Sequence, residues 1–198
     1  HFDDLSESAK EKALEDARNN KAQFSLEDFA DFDGIIYDEK TGFTESDVFT
    51  GYTQRYYDLD RGHYIQFPDL EVKDENKLLK MLGLPKSILE KITISFISKN
   101  EQNTEIEFDD GDGGLAIGGY DPVSWKEYEQ EVKRYGDENP LTKKEFTSLE
   151  KAVEKWDNLM DSAWKSLRDN YEYQLSDEAV EQDIEANEWQ FDKEGNMV

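Results

Sequence analysis

The chain has 198 residues, with 48 Asp or Glu against 23 Lys or Arg and a formal net charge of -25 at pH 7. It has no cysteine, which excludes disulfides, thiolate metal sites and cysteine nucleophiles, and no apolar run nears the roughly 18 residues of a membrane helix. Its 11 Phe, 10 Tyr and 4 Trp can still build a core, since each buried ring removes about 150–250 Å² from water.

In chain order, Leu5 to Arg18 reads as a helix with Ser6 as its cap and Ala9, Ala13, Leu14 and Ala17 as its apolar face. A second helix is expected from Ser25, burying Phe24, Phe29 and Phe32. From Gly34 the period changes to two, giving a strand at Ile35–Tyr37 and another along Val48–Tyr57. Leu59-Asp60-Arg61-Gly62 then turns the chain into His63–Phe67 as a hairpin. Lys77–Leu82 is a short helix stopped at Gly83, and Pro85 opens one more helical turn to Leu89. Ile92, Ile94 and Phe96 mark a strand whose hairpin partner is Thr104–Phe108, and Asp109 to Gly119 reads as a loop.

The second half is helical. Asp121 as cap and Pro122 at the first position predict a helix to Tyr135, closed by Gly136. Thr142 and Glu145 form a capping box ahead of the longest element, which runs to Tyr171. Phe146, Leu149, Val153, Trp156, Met160, Ala163 and Leu167 follow at steps of three and four, the spacing of a core seam; a coiled-coil contact with a second copy, making a homodimer, is the rival reading. Ser176 caps a last helix to Asn187, and Trp189 and Phe191 close the chain in extended form. The expectation is one α+β domain over 1–198, with an antiparallel sheet across about 34–108, N-terminal helices and a long helical C-terminal half.

The charge is unevenly placed. Residues 141–171 hold six basic and six acidic side chains, whereas residues 172–198 hold nine acidic and one basic. The densest runs predict two partner-binding patches: Glu101, Glu105, Glu107, Asp109, Asp110 and Asp112, then Asp177, Glu178, Glu181, Asp183 and Glu185. High-salt adaptation fits poorly, because 18 of the 23 basic residues are Lys. Solubility alone needs a net charge of about 2 to 8 in magnitude. A field this negative attracts basic surfaces, most of which bind nucleic acid, and repels nucleic acid and anionic membranes themselves.

Motifs for catalysis are lacking. Counting a calcium loop from Asp110 puts Leu115 where a glycine is needed and Asp121 where a bidentate glutamate is needed. No phosphate-binding, dinucleotide-binding or hydrolase motif occurs, and His63 reads as structural. The expectation is a non-enzymatic cytoplasmic protein without metal or cofactor.

Three stretches carry a resemblance. Phe2-Asp3-Asp4-Leu5-Ser6-Glu7-Ser8-Ala9-Lys10-Glu11-Lys12-Ala13 resembles the opening of an uncharacterised family of small acidic bacteriophage and prophage proteins. Ser176-Asp177-Glu178-Ala179-Val180 through Ile184-Glu185-Ala186-Asn187-Glu188-Trp189-Gln190-Phe191-Asp192 is similar to its close. Gly42-Phe43 and Phe49-Thr50-Gly51-Tyr52 look like a shortened central element, with Thr44-Glu45-Ser46-Asp47-Val48 in place of the family's glycine-rich part. Together the matches cover about a quarter of the chain. The resemblance implies a phage gene acting in the bacterial cytoplasm, and with the charge it resembles in kind the acidic anti-CRISPR and anti-restriction proteins that imitate DNA. The partner so implied is a basic nucleic-acid-binding defence protein, first a CRISPR effector nuclease; an acidic scaffold for a replication protein is the alternative.

Overall fold

The computed structural model describes residues 2–22, 34–52, 56–58, 64–98, 103–109, 115–119, 121–136 and 138–198. Among them the helices are α1 (Glu7–Ala22), α2 (Glu45–Val48), α3 (Glu75–Leu82), α4 (Trp125–Tyr135), α5 (Lys143–Gln174) and α6 (Asp177–Ala186). The strands are β1 (Tyr37–Asp38), β2 (Phe43–Thr44), β3 (Phe49–Thr50), β4 (Tyr56–Asp58), β5 (Tyr64–Gln66), β6 (Glu71–Val72), β7 (Thr93–Ser98), β8 (Thr104–Asp109) and β9 (Ala116–Gly118). The fold is α+β, with small antiparallel sheets, an N-terminal helix and a long C-terminal helix. The chain divides into two compact units, His1–Phe32 with Ser166–Val198, and Asp33–Lys165.

In the first unit α1 packs on α6. Ser6 Oγ accepts from the Ala9 N–H and Ser176 Oγ from the Ala179 N–H, so each helix starts on a hydroxyl cap. Ala13 and Ala17 meet Val180, Ile184 and Phe2, and Leu14, Trp189 and Phe191 close the cluster. Arg18 fastens the start of α6, donating through Nε to the Leu175 carbonyl at 2.9 Å and through Nη2 to Asp177. The extended close is real: Phe191 bridges Met197, and Asp192 accepts from the N–H groups of Glu194 and Asn196.

In the second unit the sheet runs β7-β8-β9, with Thr93 opposite Asp109, Ser98 opposite Thr104, and Glu107 opposite Gly118. Alternation along β8 buries Thr104, Ile106 and Phe108 and turns Glu105, Glu107 and Asp109 to the other side. Trp156 of α5 is fully buried, its ring 4.9 Å from Phe96 and 5.8 Å from Phe49, and its Nε1 donates to the Thr104 carbonyl at 2.7 Å. Phe146, Leu149, Ala152, Met160 and Ala163 are buried along the same helix, so this stretch of the seam is core within one chain.

Several expected boundaries shift for identifiable reasons. The strand placed along Val48–Tyr57 is broken: Val48 belongs to the turn α2, opened where Asp47 Oδ2 accepts from the Thr44 N–H at 3.1 Å, β3 covers two residues only, and Gly51 follows with φ +74. Inside α2 the buried Glu45 carboxylate accepts from the N–H groups of Gly34, Ile35 and Ile36 at 2.8, 3.1 and 2.9 Å. Those bonds hold Ile35 and Ile36 in a buried bend, and the strand begins at Tyr37. The loop read across Asp109–Gly119 contains β9, because Ile117 pairs with Phe108 and joins its buried face. The helix expected from Pro122 starts later: the Val123 N–H donates to the Ala116 carbonyl, and α4 begins after Ser124, which forms a capping box with Glu127. The helix expected from Ser25, the turn at Leu59–Gly62 and His63 lie outside the described residues.

Candidate functional site

Of the first expected patch, Glu105, Glu107 and Asp109 stand on one face of β8, all half-buried. Glu101, Asp110 and Asp112 lie outside the described residues. Successive members of the row are about 6.7 Å apart, the two-residue repeat of a strand. The Glu107 carboxylate lies over β9: a Cβ added at Gly119 would sit 2.2 Å from its Oε2. Gly119 has φ +71, a backbone conformation that favours glycine, and a side chain there would push the Glu107 carboxylate aside.

Glu105 faces a groove of about 310 Å³ shared with Gly118, Val123, Glu150, Val153 and Asp157. Here the structure adds residues that charge counting missed. Glu150, Glu154, Asp157 and Asp161 recur at steps of four, three and four along α5 and therefore share one helix face. Over residues 141–171 the charges sum to zero, yet these four acids are gathered on one face. The signal was legible in the spacing, but summing charge over the helix hides it.

Asp157 shows the consequence. Its side chain reaches solvent, yet desolvation by its packed surroundings, then the charges of Glu105, Asp161 and Glu154, raise its pKa above the ordinary aspartate value. Asp38 behaves oppositely. Burial would raise its pKa, but hydrogen bonds from Thr41 and the Lys155 ammonium, 2.9 Å away, outweigh that and lower it. Lys155 also donates to the Met81 carbonyl, so the lysine that follows Glu154 is spent inward rather than on the acidic face.

The second expected patch is divided by its geometry. Glu178, Glu181 and Glu185 are exposed on the outer face of α6, at i, i+3 and i+7. Asp177 is held by Arg18 and serves the fold as much as the surface. Asp183 is half-buried.

Such faces attract cationic groups. Their carboxylates sit with like charges rather than with a nucleophile and its base, and among the described residues no group of His, Cys, Asp and Glu is arranged to hold a metal ion. No helix among those residues is long and apolar enough to cross a membrane. No protein-family model matches the chain, and no curated protein or solved structure matches it either.

Proposed function

We propose that this protein is a non-enzymatic acidic decoy that occupies the nucleic-acid-binding surface of a bacterial defence protein, first a CRISPR effector nuclease. The observation that carries the reading is the groove that brings Glu105 of β8 together with Glu150 and Asp157 of α5, its charged lining wholly acidic, where desolvation first and then Glu105, Asp161 and Glu154 raise the Asp157 pKa. Holding like charges together disfavours the free protein. A surface of lysines and arginines that meets them relieves the repulsion, so binding recovers the energy stored there. The β8 row strengthens the case: it holds three carboxylates on one face at a regular spacing of about 6.7 Å.

On this reading the carboxylates take the place of phosphates that arginine and lysine normally contact for position rather than for sequence. The resemblance of both chain ends to small phage proteins is consistent with such a target and suggests a phage gene acting in the host cytoplasm. The test is a cleavage assay on a guide-loaded CRISPR effector with a variant carrying Glu105→Gln, Glu107→Gln, Asp109→Asn and Asp157→Asn. Loss of inhibition with an unchanged or raised melting temperature supports the decoy. Full inhibition by the variant contradicts it.

A further inference from the structure

The second unit carries another feature, chemically unlike the acidic faces. Between β6, α3 and β7 lies a groove of about 560 Å³ whose apolar lining includes Leu70, Val72, Leu78, Leu89, Ile94 and Phe96. Val72, Leu89, Ile94 and Phe96 are only half-buried and converge on it. Along one wall runs β7, which among the described residues has a strand on its β8 side alone. Every second residue of an edge strand directs its N–H and C=O away from its neighbour, which makes the edge a template for another chain.

Proteins usually blunt such edges with charge, proline or a bulge. This chain is 36% charged, yet β7 reads Thr-Ile-Ser-Phe-Ile-Ser, six residues with no charge and no proline, paired with β8 in unbroken register. Charge enters on the rim instead. Glu71 and Glu75, both exposed, are the charged residues lining the groove. Three lysines of the flanking segments are turned elsewhere, Lys77 to Asp47, Lys91 to Glu145 and Lys73 to the Ser46 carbonyl.

We propose that the groove beside β7 takes an extended segment of a basic partner protein. The segment adds to the sheet as a strand, sets alternate apolar side chains against Val72, Leu89 and Ile94, and points lysine or arginine at Glu71 and Glu75. Main-chain hydrogen bonds to β7 hold the segment, the pockets select its apolar positions and the rim selects its charge. The inference stands on the groove and the strand edge and does not rest on the decoy reading.

The probe is the peptide Lys-Val-Lys-Ile-Lys-Val-Lys, titrated into the full chain and followed by backbone amide NMR. Saturable shifts centred on Thr93–Ile97, abolished when alternate peptide amides are N-methylated, are the expected result. A Glu71→Gln/Glu75→Gln variant is expected to bind about three- to fivefold more weakly. An Asp157→Asn variant, changed in the α5 groove and not on the strand paired with β7, is expected to bind it unchanged, which separates this proposal from the decoy. No saturation at millimolar peptide, equal binding of the N-methylated or an all-glutamate version, or shifts centred on β8 and α5 would each overturn it. So would a dimer in sedimentation whose contact covers β7.

Discussion

Asp157 and Asp38 lie in the same compact unit, and their surroundings drive them in opposite directions. For Asp157 the folded pKa is raised, so its ionised form is disfavoured in the fold. The penalty is present above that pKa and is relieved as pH falls through it. Asp157→Asn is therefore expected to raise the melting temperature at pH 7, with the gain shrinking as pH falls toward about 4, the range of an ordinary carboxylate. For Asp38 the folded pKa is lowered, so its contribution is complete above the unfolded value near 4 and is lost as pH falls through the folded one. Asp38→Asn leaves the Lys155 ammonium without its charge partner and is expected to cost about 2 kcal/mol at pH 7. Thermal melts of both variants across pH 3 to 8 check the two signs. A destabilised Asp157→Asn protein would mean that the like charges around it are offset by something other than a future partner.

At the scale of elements, α5 is both scaffold and surface. Trp156 fills the space between Phe49 and Phe96 and satisfies the Thr104 carbonyl, so Trp156→Ala is expected to cost about 3–5 kcal/mol in urea unfolding. An unchanged midpoint would mean that the ring is not core. On α6, Glu178→Gln, Glu181→Gln and Glu185→Gln together are expected to leave the melting temperature unchanged or higher, whereas Asp177→Asn is expected to lower it, because Asp177 holds Arg18. Comparing the triple variant with the β8 variant in the same inhibition assay assigns function to one face or the other.

These elements also show what local sequence can carry. Helix ends with side-chain caps were legible, as at Ser6, Thr142 and Ser176, because the cap and its amide lie within three residues. So was the β7–β8 pairing, which alternation announces at short range. The turn at Glu45–Val48 was not, because the carboxylate of Glu45 is satisfied by amides of Gly34, Ile35 and Ile36 about ten residues away. Nor was β9, whose single buried Ile117 acquires meaning only opposite Phe108. The face formed by Glu105 with Asp157 joins a strand and a helix far apart in the chain, and neither segment announces the other.

For the whole molecule, a net charge of -25 acts against the fold and in favour of a basic partner at once. Salt separates the two. Screening shortens to about 3 Å at 1 M, so added sodium chloride is expected to raise the melting temperature of the free protein while weakening its complex. A melting temperature that falls with salt would mean that ion pairs such as Lys155 with Asp38 outweigh the repulsion.

The most direct test of the decoy is competition. A guide-loaded CRISPR effector holding a fluorescent target duplex is titrated with this protein at about 50 mM and about 200 mM salt, the interval over which multiple phosphate contacts lose orders of magnitude in affinity. The account predicts that near-stoichiometric protein displaces the duplex at the lower salt and much less well at the higher, and that the variant neutral at Glu105, Glu107, Asp109 and Asp157 displaces little at either. A duplex that stays bound under excess protein at low salt would contradict it.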